Sequence, residues 1–143
     1  MDNYILVSNK KWHIGLFKKL KQLHNKQNWI LIDSKKDFNY QNLANLKPKR
    51  IFIPHWSHYI PDEIYLNFNC IIFHMTDLPY GRGGSPLQNL IINGHISTKI
   101  TAISVTDGID EGPIYLKKKL NLKGSAKEIF IRSSDQIFKM IGI

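Results

Sequence analysis

A histidine at the end of an apolar run is the first candidate for chemistry in this sequence. His74 follows the apolar residues 70–73, and a Gly/Pro-rich segment separates it from a helical pattern that begins at Pro86. This layout predicts a titratable side chain at the carboxyl end of a buried strand, where ligands bind in open α/β sheets. Thr76 can shape the turn that follows. Arg82 lies between glycines, where the backbone can approach a ligand and a guanidinium can bind an anion.

A second loop offers carboxylates. Asp107 and Asp110 lie three residues apart in a glycine-containing segment between two strand-like runs. A carboxylate beside a histidine favours the charged ring, and an imidazolium is a good donor to a developing oxyanion, which is the chemistry of acyl transfer. The alternative is that both aspartates form the turn of a hairpin, because Asp-Gly is a standard turn signal. The residues alone leave both interpretations open.

The hydrophobic pattern around these loops alternates strands with helices. Strands are predicted at Tyr4–Val7, Trp29–Ile32, Arg50–Ile53, Asn69–Phe73, Thr101–Val105 and Pro113–Leu116. Helices are predicted at Trp12–Leu23, Tyr40–Leu46, Asp62–Leu66, Pro86–Ile92 and from Ser125 onward. Such alternation predicts an α/β fold with βαβ units and a parallel sheet. The first strand-to-helix junction lacks the glycines of a dinucleotide-binding loop, and no Walker-type phosphate loop is present, so the sequence gives no support for NAD or ATP binding.

The composition is that of an ordinary globular domain. The 143 residues predict one domain, with no apolar stretch long enough for a membrane span and no signal pattern, so we expect a cytoplasmic protein. The net charge of +9 could favour phosphate-bearing partners, although the lysines are spread along the chain and indicate a general composition bias. Cys70, the single cysteine, is expected to be a buried, inert thiol, and no metal site is predicted.

Two motifs resemble those of the folate-dependent formyltransferases. The segment His74-Met-Thr-Asp-Leu-Pro-Tyr-Gly-Arg-Gly-Gly-Ser-Pro86 resembles their His-x-Ser-Leu-Leu-Pro-x-x-Arg-Gly-x-x-Pro signature. The segment Ile109-Asp-Glu-Gly-Pro-Ile114 is similar to their Leu-Asp-x-Gly-Pro-Ile signature. Asp110 follows His74 by 36 residues, which is the spacing of the glycinamide ribonucleotide enzyme.

The resemblance implies a Rossmann-like three-layer formyltransferase fold, with a mostly parallel sheet and helices on both faces. It implies a one-carbon transferase that uses 10-formyltetrahydrofolate as formyl donor. Carried over, His74 is the oxyanion donor and proton shuttle, and Asp110 holds it charged and oriented. Further candidates follow from matching positions. For the folate they are His55, Trp56, Ser57, Thr106, Asp107 and Ile109, and for the acceptor they are Thr76, Arg82 and Gly83.

One position departs from the family pattern. The family has an asparagine two residues before the histidine, and this sequence has Ile72 there, which cannot donate a hydrogen bond. Losing one such oxyanion donor costs on the order of 10²–10³ in rate. We expect Ser57, His55 or a backbone N–H to substitute, or the chemistry to be slow or absent.

The resemblance also bears on the acceptor. Family members generally carry more chain after the final helix, so residues 1–143 are interpreted as the catalytic domain without the family's C-terminal region. This favours a small acceptor, and the His55–Ser57 loop is similar to a compact subgroup associated with surface-sugar biosynthesis. The expected acceptor is therefore the primary amine of an amino sugar or sugar nucleotide, phosphorylated or nucleotide-linked. The alternatives are a methionyl-tRNA formyltransferase-like enzyme and a non-catalytic folate- or sugar-binding module.

Overall fold

The computed structural model describes residues 1–56, 58–78, 86–106 and 112–142, and for residues 86–88 it describes the backbone alone. Its strands are β1 (Asn3–Ser8), β2 (Asn28–Ile32), β3 (Arg50–His55), β4 (Cys70–His74), β5 (Ser97–Ser104) and β6 (Ile114–Asn121). Its α-helices are α1 (Ile14–Leu23), α2 (Tyr40–Leu46), α3 (Asp62–Tyr65), α4 (Pro86–Ile92) and α5 (Ala126–Ile141). A short 3₁₀ helix, Lys11–His13, precedes α1.

The strands form one sheet with the order β2-β1-β3-β4-β5-β6. The pairs β2–β1, β1–β3 and β3–β4 are parallel, whereas β4–β5 and β5–β6 are antiparallel. Parallel neighbours need a crossover of a dozen or more residues, and the segments between β1, β2, β3 and β4 provide this length. The direct connection from β5 to β6 instead permits an antiparallel pair. The predicted mostly parallel sheet is confirmed.

Helices cover both faces of the sheet. On one side, called the first face, Leu6, Phe52 and Phe73 pack with buried residues of α1 and α5. On the other side, called the second face, Ile53 and Cys70 pack with buried residues of α2 and α3. Each apolar face is thereby removed from water, which is the main stabilising term for such layered folds. The three-layer architecture expected from the sequence is confirmed.

The structure corrects some element boundaries. β5 begins at Ser97 rather than Thr101, and β6 runs to Asn121 rather than ending at Leu116. Residues 97–99 are all polar and residues 117–119 are three consecutive lysines, so the apolar pattern of a strand is weak in these segments. In α1 the apolar stripe is narrower than expected, because Ile14 and Leu23 are exposed. The helix buries Leu16 and Leu20.

The last helix begins as the sequence predicts. Ser125 is its N-cap and accepts a hydrogen bond from the backbone N–H of Glu128, while the Glu128 side chain accepts from the backbone N–H of Ser125. This reciprocal capping box satisfies two backbone donors that the helix cannot pair internally. Hydrogen bonds from Ser125 lower the pKa of the Glu128 carboxyl. The cap fixes where α5 meets the first face.

Candidate functional site

The carboxyl ends of three strands meet at one edge of the sheet. Ser8, the last residue of β1, pairs with His55, the last residue of β3. β3 pairs with β4 as far as Ile53 and Ile72. Each strand then continues for two residues and ends on a histidine. His74 is the last residue of β4 and is buried. The histidine singled out from the sequence therefore lies at the carboxyl end of a buried strand.

The alternation of side chains along β4 places His74 on the second face. Cys70 belongs to the apolar cluster of that face, and Ile72 packs against it. Successive strand residues point to opposite sides, so His74 shares the face of Ile72. Ile72 is paired with Ile53 on one side and Ile103 on the other. Ile72, which stands at the position of the family's asparagine, thus lies between two isoleucines of the neighbouring strands.

The turn after His74 is held by a neighbouring strand. Thr101 of β5 pairs with His74 and is fully buried. Its hydroxyl donates a hydrogen bond of 2.6 Å to the carbonyl of Thr76 and accepts one of 3.4 Å from the backbone N–H of Leu78. Thr98, also on β5, donates through its hydroxyl to the carbonyl of Met75 at 3.1 Å. Thr76 itself is 1% exposed, so its position in the turn is fixed by packing.

A lysine from β6 completes the support of this turn. Lys117 donates to the carbonyl of Leu78 at 2.7 Å and to the Asp77 carboxylate at 2.5 Å. The hydrogen bond from Lys117 is the main cause that lowers the pKa of Asp77, and the charge of Lys99 acts in the same direction. The segment that leads from His74 toward Arg82 is therefore attached to both antiparallel strands.

The loop with the predicted carboxylates is anchored beside β4. The backbone N–H of Val105 donates to the carbonyl of Cys70 at 3.0 Å, and Val105 packs against the apolar cluster of the second face. The loop returns at Gly112, where an added Cβ would overlap the Ser104 carbonyl oxygen and lie 3.4 Å from Thr106 Cγ2. Only glycine fits this close approach. Both ends of the loop thus lie together near the first residue of β4, and Val105 packs on the face that Ile72 and His74 share.

Several predicted site residues lie outside the described part of the chain. They are Ser57, Arg82, Gly83, Asp107, Ile109 and Asp110. The structure therefore supplies the frame on both sides of these residues, and their roles stay predictions.

The structure separates two neighbouring residues of the predicted folate loop. Trp56 makes an edge-on contact with Phe38 and packs against the second face. The ring of His55 instead contacts Trp12 and Phe130, and Phe130 belongs to the first face. Opposite directions are expected for successive residues of an extended chain. Trp56 thus lies on the side of Ile72 and His74, and His55 does not.

His55 belongs to a cluster that the sequence analysis did not recognise. Trp12 stacks on Phe130 with ring centroids 4.4 Å apart, and His13 lies 6.0 Å from His55 between centroids. A hydrogen bond of 3.1 Å joins His13 Nδ1 and Ser134 Oγ of α5. The available signal was a tryptophan–histidine pair immediately before an amphipathic helix, where apolar residues commonly fix the entry of the chain.

Burial keeps the two histidines of this cluster neutral at pH 7. Burial, then the proximity of His55 and of Lys10, lowers the pKa of His13 to about 3. Burial and, secondly, Lys10 lower the pKa of His55 to about 4. Within the described residues, His13 Nε2, His55 Nδ1 and Trp12 Nε1 are buried without a hydrogen-bond partner. Such groups are normally paired, often with water.

The described residues line concavities along this edge of the sheet. One, of about 130 Å³, is at the ends of β1 and β2 and is lined by Ser8, Asn9, Lys10, Lys11, His13, Ile14, Leu31 and Asp33. The other, of about 420 Å³, is beside the turn after His74 and is lined by Asp77, Leu90, His95, Ser97, Thr98, Lys99 and Lys119. The second lies in the size range of small-molecule sites.

Metal clusters and membrane-spanning helices are absent from the described ranges. No cluster of three or more His, Cys, Asp or Glu side chains is suited to a metal ion there. In the same ranges, no helix has the length and apolar character to cross a membrane. Cys70 is 2% exposed, and burial raises the pKa of its thiol to about 12, which confirms the expected buried thiol.

Known proteins are similar to this chain in sequence and fold. The family model described as formyl transferase matches residues 4–129. A methionyl-tRNA formyltransferase of a Nitratiruptor species is 32% identical over 90 residues, which cover 63% of this chain and 30% of that protein. The solved methionyl-tRNA formyltransferase from Clostridium thermocellum is 47% identical with a TM-score of 0.96, over 99% of this chain and 63% of that one. The chain thus spans less than two thirds of either relative.

More distant structures share the fold. A sugar N-formyltransferase from a Shewanella species has a TM-score of 0.74 at 16% identity, over 99% of this chain and 68% of that one. HypX from Aquifex aeolicus, solved in complex with tetrahydrofolic acid, has a TM-score of 0.71 at 16% identity, over 95% of this chain and 26% of that one. The architecture is therefore shared by proteins with different named activities.

Proposed function

This chain belongs to the formyl transferase family, and we propose that it transfers the formyl group of 10-formyltetrahydrofolate to a primary amine. The amine is that of an amino sugar or sugar nucleotide. One observation carries the proposal: His74 ends β4 on the second face, and Val105, at the start of the loop that contains Asp110, packs against the same face. The family's two signature motifs thereby adjoin the same face of the β4–β5 pair.

The residues of the second face suit a folate. Trp56, Ile72 and Val105 offer partly buried apolar surface there, which suits an aromatic heterocycle. Trp56 Nε1 is buried and has no hydrogen-bond partner within the described residues, so it is a donor that a polar ring edge could satisfy. Trp56, Val105 and the loop that begins at Thr106 would hold the folate. When bound, 10-formyltetrahydrofolate supplies an activated formyl carbonyl.

The protein's own groups would act on the carbonyl under attack. His74 would donate a hydrogen bond to the oxygen that gains negative charge, in a buried position where such a bond is strong. Asp110 would accept from the other ring nitrogen, which orients the imidazole and favours its charged form. The Thr101 and Lys117 contacts would keep the turn after His74 in place, so little reorganisation is needed during transfer.

The oxyanion donor that Ile72 lacks must come from elsewhere. His55 is directed toward Phe130 of the first face and so does not share the side of Ile72. Ser57 and a backbone N–H of the segment after His74 are then the candidates. The proposal therefore includes a slower reaction than an asparagine at position 72 supports, by on the order of 10²–10³ if nothing substitutes.

The direct test is tetrahydrofolate release from 10-formyltetrahydrofolate in the presence of a panel of amino-sugar nucleotides. We expect turnover by the wild type and a loss of about 100-fold or more in His74→Ala and in Asp110→Ala. Asp135→Ala, a change of an exposed residue on α5, serves as the control and should retain turnover. Wild-type rates in either site variant would contradict the assigned roles.

Methionyl-tRNA is the second candidate acceptor, because the 47% identical structure bears the name methionyl-tRNA formyltransferase. The same assay with methionyl-tRNA distinguishes the two acceptors. Transfer to the aminoacyl-tRNA, with a steep decrease as salt increases, would favour this candidate.

A binding module without transfer is the remaining candidate, and Ile72 is the observation behind it. In Ile72→Asn the new amide would stand between Ile53 and Ile103, so without a polar partner it costs about 1–3 kcal/mol of stability. If the natural protein transfers, the variant should do so faster. Turnover that appears only in Ile72→Asn, with folate binding in both proteins, would instead identify the natural protein as a binder.

A further inference from the structure

A basic pocket lies beside the candidate site, at the end of the antiparallel strands. Thr101 of β5 pairs with His74, so the residues of β5 that precede Thr101 extend past the carboxyl end of β4. In the pairing of β5 with β6, Lys99 stands directly opposite Lys119. Both lysines are exposed, and both line the pocket of about 420 Å³.

The lysine pair is costly for the free protein. Directly opposed residues on antiparallel strands have Cβ atoms roughly 4.5–5.5 Å apart, and like charges at that distance are destabilising. Neither lysine forms an ion pair among the described residues. The nearby Asp77 carboxylate accepts a hydrogen bond from Lys117 at 2.5 Å, so much of its charge is already compensated. The pocket therefore presents an excess of positive charge.

The pocket is also connected to the candidate histidine through the backbone. Lys99 and Thr101 are two residues apart on β5 and share one face, the face on which Thr101 meets His74. Thr98, which lines the pocket, donates to the carbonyl of Met75, the residue after His74. A ligand in the pocket would thus contact the strand that holds the His74 turn.

We propose that this pocket binds a phosphate group of the amine acceptor, with Lys99 and Lys119 as its cationic ligands. The proposal rests on the proposed function and adds to it a subsite for the anionic part of the acceptor. Ser97 supplies a hydroxyl donor beside the lysines. A phosphate there would offset the repulsion between the two lysines and place the acceptor next to His74. The phosphate could belong to a sugar nucleotide or to the backbone of an RNA.

The test measures the binding of inorganic pyrophosphate by calorimetry at fixed ionic strength. Lys99→Gln with Lys119→Gln should weaken binding by about tenfold or more, because both cationic ligands are removed. The matched control, Lys18→Gln with Lys127→Gln, makes the same change in net charge on α1 and α5 and should bind as the wild type does. No measurable binding by the wild type, or an equal loss in both double variants, would overturn the proposal.

Two further measurements separate the possible explanations. Thermal unfolding of the free Lys99→Gln, Lys119→Gln protein should occur at the wild-type temperature or above, since a repulsive pair is removed. If the wild type and the Lys99→Gln, Lys119→Gln variant bind pyrophosphate with equal affinity, the subsite is contradicted, whatever the unfolding temperatures of the two proteins. Competition with a short RNA duplex identifies the source: displacement of the duplex by pyrophosphate indicates a phosphodiester, and independent binding indicates a nucleotide phosphate.

Different experimental outcomes would contradict the phosphate subsite and the proposed function. His74→Ala should leave pyrophosphate binding unchanged, because His74 does not line the pocket. Pyrophosphate binding without any formyl transfer would contradict the proposed function and retain the subsite. Formyl transfer that the Lys99→Gln, Lys119→Gln change leaves unaltered in KM would contradict the subsite and retain the function.

Discussion

At the scale of single residues, Thr101 joins the antiparallel strands to the candidate site. It is fully buried, and its hydroxyl both donates to the Thr76 carbonyl and accepts from the Leu78 N–H. These side-chain hydrogen bonds hold the chain to β5 after His74, where the backbone hydrogen bonds between β4 and β5 end. A hydroxyl is required because it can serve one donor and one acceptor together.

Replacing Thr101 with valine should disturb the site without changing the side-chain volume greatly. The Thr76 carbonyl would keep the Leu78 N–H as a donor but lose the Thr101 hydroxyl, and one lost hydrogen bond costs about 0.5–1.5 kcal/mol. We expect that loss in urea unfolding, together with a reduced kcat. Thr101→Ser keeps the hydroxyl and should retain most of the activity. Equal kcat and stability for Thr101→Val and the wild type would show that the turn does not depend on this bond.

At the scale of elements, the close return of the β5–β6 loop explains the glycine in the family's second motif. The added Cβ at Gly112 would meet the backbone of Ser104 rather than a flexible side chain. The loop therefore cannot yield without moving β5, the strand that pairs with His74. The same approach positions both ends of the segment that contains Asp110.

Gly112→Ala should consequently reduce stability and activity more than the addition of one methyl group usually does. We expect a loss of stability of about 1–3 kcal/mol from overpacking, and a loss of formyl transfer because the loop is displaced. Gly15→Ala is the matched control, since nothing lies within 4 Å of its added Cβ in α1 and alanine favours a helix by up to about 1 kcal/mol. Circular dichroism melts and turnover of both variants provide the comparison.

The elements that the sequence predicts best are those with an uninterrupted apolar pattern. β1, β3 and β4 are buried on both faces, and their apolar runs identify them directly. The antiparallel strands were predicted too short, because polar residues on both faces, such as Lys119 and Thr98, interrupt the apolar pattern. Their common role around the turn after His74 could not be predicted, since it depends on register between distant segments.

The candidate site was predictable where a motif marks it and unpredictable where packing decides it. His74 follows from the strand pattern and the motif together. The directions of His55 and Trp56 depend on an irregularity in the pairing of β1 with β3, where Leu6 is paired with Phe52 but Ser8 with His55. The His13–Ser134 contact joins residues far apart in sequence, so no local pattern could indicate it.

At the scale of the whole molecule, the buried histidine pair makes stability depend on pH. His13 and His55 connect the 3₁₀ helix, β3 and α5, and both are neutral in the folded state at pH 7. Their pKa values, about 3 and about 4, lie below the ordinary value of 6.5. The unfolded chain therefore binds protons that the folded protein cannot accept.

Stability should decrease as the pH falls from about 6.5 toward 4, since the unfolded state gains protons throughout this window. Each histidine contributes a slope of at most about 1.4 kcal/mol per pH unit. Urea unfolding across this window should show a shallower slope for His13→Gln than for the wild type. His58→Gln, at an exposed position, is the control and should follow the wild-type slope. Identical slopes for all three proteins would exclude His13 as a cause.

The change from parallel to antiparallel pairing at β4 has a consequence for the order of folding. β5 and β6 are consecutive and can form a hairpin within about 1–10 μs, whereas β1 and β3 must close a long stretch of chain before they pair. β4 needs both partners, because Ile72 is paired with Ile53 on one side and Ile103 on the other. During refolding, the environment of His74 is therefore complete only when the slowly forming parallel strands have assembled. We expect activity to appear after that step and not when the β5–β6 hairpin forms.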